Sequence, residues 1–102
     1  MRDPFPAEPV HAQILWNEED NQANIARAGI DFGDIASGFS TAHIRIHPRE
    51  DGKFVALIKV NHFVLEVIAS FDGQLTLHEA RLAKKNAQNI YNQTLFGPAS
   101  GQ

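Results

Sequence analysis

The sequence predicts one small α+β domain built on a twisted antiparallel sheet, with helices before the sheet and one helix after it. Three observations point there. The chain has 102 residues, near the commonest size for a single core. Its middle third alternates apolar and polar residues with a period of two, whereas the flanks repeat apolar residues every three or four positions. There is no internal repeat and no parallel βαβ signature.

Residues 1–12 carry Pro4, Pro6 and Pro9, which fix φ and remove backbone donors, so this segment reads as a flexible or extended leader without a site. Ile14-Leu15-Trp16 is a short apolar strand. Asn17 is an N-cap candidate followed by Glu18, Glu19 and Asp20, and the helix it opens should run to about Ala28, with Gly29 as a left-handed C-cap. Asn24 is placed to tie this helix to the next loop through its amide. Ile35 to Phe39 suggests a second, shorter helical piece.

From Ala42, Ile44 and Ile46 should point one way and His43, Arg45 and His47 the other. Pro48 ends that strand, and Arg49-Glu50-Asp51-Gly52 is a turn cluster. Phe54 to Val60 and Phe63 to Phe71 are β-rich runs joined near Asn61-His62, and Asp72-Gly73 predicts a type I′ hairpin turn. Leu75 to His78 forms the return strand. From Glu79 to about Thr94 the spacing of Ala80, Ala83, Ala87, Ile90 and Tyr91 predicts a helix, stopped by Gly97-Pro98. The domain should therefore span residues 13–96, with 97–102 as a flexible tail. Trp16 and Phe32 are expected to be core anchors, and His62 a turn residue.

Composition narrows the function. Apolar residues make up 43% and charged residues 21%, and no apolar run approaches a membrane-spanning length, so a soluble, cytoplasmic protein with no membrane contact is expected. The chain has no Cys and no visible secretory signal. A net charge of -3 argues against broad electrostatic attachment to nucleic acid, but Arg81, Lys84 and Lys85 cluster late and could form a local basic patch. No glycine-rich phosphate loop, nucleophile elbow or carboxylate pair is present, and no cofactor is called for. His43 and His47 lie about 13 Å apart on an ideal strand, too far to share one metal ion, so no metal site is assigned.

The order of elements, Trp16-Asn17, Asn24, Gly29-Ile30-Asp31-Phe32 and the late Glu79-Ala80-Arg81-Leu82-Ala83-Lys84 together resemble the BrnT family of type II toxins, within the RelE-like ribonucleases. The likeness covers roughly residues 14–95. Where that family usually has a Lys this chain has Asp20, and where it has the His of a His-Gly pair this chain has Ala28. The resemblance implies a RelE-like fold, cleavage of RNA through its own 2′-hydroxyl without a metal ion, inhibition of translation, and a cognate antitoxin as protein partner, alone or in a homo- or hetero-oligomer.

Such a reaction requires a base, cations for the charge developing on phosphorus, and an acid for the leaving oxygen. Arg81 matches the family's functional Arg, and its planar fork suits phosphate. Lys84 would lie one helical turn beyond it, and His78, with an ordinary pKa near 6.5, closes the strand just before. Arg81, His78 and Lys84 are therefore the catalytic candidates. His43, Arg45, His47 and Lys85 are candidates for binding RNA or the partner. The alternative is a noncatalytic interaction or regulatory module on the same fold, which Asp20, Ala28 and the acidic balance favour.

Overall fold

The computed structural model describes residues 4–8, 10, 13–46 and 52–97. His47, the turn cluster Arg49-Glu50-Asp51, the first residues of the leader and residues 98–102 of the expected tail lie outside the described residues. The elements are β1 (Phe5–Ala7), β2 (Ile14–Trp16), α1 (Glu18–Ala28), α2 (Phe32–Ala36), a 3₁₀ turn (Ser37–Ser40), β3 (His43–Ile46), β4 (Phe54–Val60), β5 (Phe63–Phe71), β6 (Leu75–Leu82) and α3 (Lys85–Phe96).

Local rules account for the ends of α1. The Asn17 side chain accepts hydrogen bonds from the backbone N–H groups of Glu19 (2.7 Å) and Asp20 (3.3 Å), and Gly29 closes the helix at φ 73°. Asp31 caps α2 in the same way, accepting from Gly33 N–H at 2.8 Å.

The sheet has six strands in the order β1-β3-β4-β5-β6-β2. Four of its five pairings are antiparallel, but β2 runs parallel to β6 in the register Ile14↔Leu75 to Trp16↔Leu77, so the sheet is mixed rather than purely antiparallel. Part of the leader also joins it: Phe5–Ala7 pairs with β3 as an edge strand, a position where the missing N–H of Pro6 can be tolerated. Between β5 and β6 the connection is Asp72-Gly73-Gln74, a three-residue loop with Gly73 at φ 76°, instead of the two-residue turn expected.

One face of the sheet, formed by Phe54, Ala56, Ile58, Leu65, Val67, Ala69, Leu75 and Leu77, packs under Phe32, Ile35 and Phe39. Phe32 is fully buried and meets the half-buried Trp16 edge-on at 6.3 Å. The opposite face carries Ile44 and Leu57, which α3 covers with Tyr91, Ala87, Ile90 and Leu95. The helix lies mainly over β3 and β4 and reaches β5 at Val64, so the β6 side of that face is the less covered part.

The largest departure from expectation is the boundary before α3. Glu79–Leu82 continues β6 and does not begin a helix. Glu, Ala, Arg and Leu all favour helix intrinsically, but pairing with β5 through Val67↔Ala80 and Glu66↔Arg81 overrides propensity. Ala83 consequently lies before the helix, buried beside the strand end, and Lys84 occupies the N-cap.

Candidate active site

Strand pairing places the candidate residues. Glu66 and Arg81 are direct cross-strand partners, and beside them the register shifts: Ile68 opposes Glu79, while Ala69 opposes Leu77. His78 is the extra residue of a β-bulge, a device that re-aims a side chain out of the regular alternation. Leu77 and Ala80 both point into the core under the helices. His78, Glu79 and Arg81 therefore share the opposite face with Glu66, Ile68 and Ser70.

Hydrogen bonds fix this strip. His78 Nε2 lies 2.8 Å from Ser70 Oγ. Arg81 engages Glu66 through both ends of its fork, with Nε to Oε1 at 3.4 Å and an amino nitrogen to Oε2 at 3.2 Å. The guanidinium is held charged above its ordinary range by the hydrogen bond to Glu66, by that carboxylate's charge and, less strongly, by Glu79. Arg27 of α1 reaches Glu79 at 3.9 Å. The result is a row of alternating charges with an imidazole beside it, anchored on two paired strands rather than on loops.

Arg81 and His78 thus share one face of β6, three residues apart, each bonded to a different residue of β5. Lys84 does not stand one helical turn from Arg81, because Arg81 is not in the helix; both it and Lys85 are exposed at the start of α3, which crosses the same face. The expected strip His43-Arg45-His47 has a different setting. Ile44 faces α3, so His43 and Arg45 point to the other face, away from Arg81.

His43 is fully buried, edge-on to Phe39 at 4.8 Å, and offers no exposed surface. Its Nε2 accepts from Arg45 Nε at 3.1 Å, and its Nδ1 lies 3.5 Å from the Thr41 carbonyl. Burial, reinforced by the Arg45 charge, lowers its pKa to about 4. The Arg45 guanidinium lies over the Phe54 ring at 4.7 Å and near Phe71 at 5.9 Å. This pair anchors the sheet's far end instead of presenting an imidazole to RNA or a partner.

Sequence reasoning missed Glu66 and Ser70. The signal for Glu66 was a lone carboxylate at an alternating position inside the apolar run Phe63–Phe71. Asn24 proves more central than a loop tie. Fully buried, it donates to the Ile30 carbonyl (3.0 Å), while its Oδ1 accepts from Ala80 N–H (2.9 Å) and from Arg27 (3.0 Å). Asn21, one turn earlier, accepts from Phe32 N–H at 2.8 Å. The two amides lock the α1–α2 corner, and Asn24 also satisfies the edge of β6 beyond its pairing with β2.

The crystal structure of the Brucella abortus ribonuclease toxin BrnT matches this chain with a TM-score of 0.59 and 27% identity, covering 71% of this chain and 96% of that one. The chain is similar to this toxin in fold and, at that identity, in sequence. No family model and no curated protein matches it. The match reaches nearly the whole of the toxin's length, and the likeness is one of α+β fold. No helix among the described residues is long and apolar enough to cross a membrane.

Proposed function

We propose that this BrnT-like chain is a toxin ribonuclease that cleaves RNA by transesterification on the open β5–β6 face. The observation that carries the reading is the β-bulge that turns His78 onto the face where Arg81 meets Glu66. In this reading the Glu66 carboxylate takes the proton of the 2′-hydroxyl, whose oxygen attacks phosphorus. Arg81 stabilises the charge that develops on the non-bridging oxygens, and protonated His78 delivers its proton to the departing 5′-oxygen as the P–O bond breaks. The products are a 2′,3′-cyclic phosphate and a free 5′-hydroxyl. Lys84 and Lys85 supply contacts to the neighbouring phosphates. A toxin of this kind is made beside a neutralising protein, and we assign that role to a cognate antitoxin.

A specific observation supports a second reading. Arg81 is already engaged by Glu66, so a phosphate must share or displace that carboxylate, and Asp20 and Ala28 stand where the family has a cation and an imidazole. A noncatalytic interaction module on the same fold accounts for these features. Induced expression of the chain alone, with growth as the readout, separates the two. The catalytic reading expects arrest, relief by Arg81→Ala, and only partial arrest by Arg81→Lys, which keeps the charge but lacks the fork. An Arg81→Ala variant that folds and arrests growth as strongly as the parent removes Arg81 from the site.

A further inference from the structure

On the sheet face opposite Arg81, at the end where β4 turns into β5, the helical layer stops short and leaves an apolar groove. Its walls are Ile30, Phe63, Leu65 and Leu82, with Asp31 and Asp34 at the rim. Phe63 and Leu82 are 60% and 57% exposed, among the largest apolar exposures in the described residues. No Lys or Arg lines the groove. Asp31 is fixed in place, its Oδ1 accepting from Gly33 N–H at 2.8 Å and from the Asn21 amide at 3.2 Å.

We propose that this groove docks a basic segment of a protein partner, one that inserts a bulky aliphatic or aromatic side chain between Phe63 and Leu82 and sets Lys or Arg against Asp31 and Asp34. The apolar walls supply the burial that anchors such a contact, and the charge is complementary to a cationic flank. The same charge repels nucleic acid, whose phosphates would meet two carboxylates and no cation. Because Leu82 and Arg81 are consecutive on one strand, they project to opposite faces, so a partner seated here leaves the Arg81 strip open.

The inference rests on the groove alone, independently of RNA cleavage, and its test separates the two. The ¹⁵N-labelled full chain is titrated with a synthetic peptide carrying a Leu-Leu pair flanked by lysines, and with a control in which glutamates replace the lysines. Saturable amide shifts confined to Ile30, Asp34, Phe63, Leu82 and their neighbours are expected with the lysine peptide only. Asp34→Lys should weaken binding about tenfold, as charge reversal at a rim does. Arg81→Ala should leave it unchanged, which distinguishes loss of docking from loss of catalysis. Absence of shifts at the groove, equal binding of the glutamate peptide, indifference to Asp34→Lys in a folded variant, or self-association of the chain through these residues without peptide would each overturn the proposal.

Discussion

Protonation gives direct access to the state of His43. With Nε2 accepting from Arg45 and Nδ1 facing a carbonyl, the buried ring is held as its neutral tautomer, and a proton on Nε2 would confront the guanidinium. The folded-state pKa of about 4 lies below the ordinary 6.5, so the unfolded chain takes up a proton first as pH falls. Stability is complete above about pH 6.5 and declines as pH drops toward 4, by up to about 3 kcal/mol. Thermal melts at pH 7 and pH 5 should show the loss, and His43→Leu should flatten the dependence even if it lowers the melting temperature at pH 7. A parent chain whose melting temperature is level across that range would remove the neutral buried imidazole from the account. Arg81 behaves oppositely: it is exposed, its pairing with Glu66 contributes little to stability, and its removal should be felt in chemistry rather than folding.

At the scale of elements, β6 decides the design. Its first half is paired on both sides, by β5 and by β2, while its second half is paired only by β5 and is satisfied at Ala80 by the Asn24 side chain. Asn24→Ala therefore leaves a buried backbone donor and the Ile30 carbonyl without these partners and should destabilise by about 2–4 kcal/mol. Chemical denaturation reads that directly, and a change below about 0.5 kcal/mol would mean that the edge needs no plug. The caps at Asn17 and Gly29 were legible in the sequence because capping is a local bargain between a side chain and backbone groups two or three residues away. The course of Glu79–Leu82 was not, since nothing local says that a helix-favouring run will be claimed by a neighbouring strand. The bulge was hidden for the same reason: it exists only in the register between two strands.

Across the whole molecule, the net charge of -3 conceals a separation that the chain's order only hints at. Glu18, Glu19, Asp31 and Asp34 belong to the helical layer, where Arg27 is the cation of α1, whereas Arg81, facing Glu66 and near Glu79, lies on the other face, with Lys84 and Lys85 where α3 begins. The sequence showed the late basic cluster but could not say which face it occupies, because that depends on the strand, not the helix, carrying Arg81. The overall α+β order was readable from periodicity and the core role of Phe32 from its large apolar ring; the mixed sheet was not, since three residues such as Ile14–Trp16 carry no signal for the direction of pairing. The proposed division of labour, with RNA on the β5–β6 face and a basic partner segment in the opposite groove, follows from that arrangement.

On the proposed reading the β5–β6 strip cleaves RNA through the 2′-hydroxyl. The most direct measurement incubates the purified chain with a single-stranded RNA oligonucleotide in the presence of a chelator and analyses the product ends. Fragments bearing 2′,3′-cyclic phosphate and 5′-hydroxyl ends are expected, with the rate falling roughly 10²–10³-fold in Arg81→Ala while its melting temperature is unchanged. Intact RNA with the parent chain, or equal cleavage by the folded Arg81→Ala variant, would contradict the account.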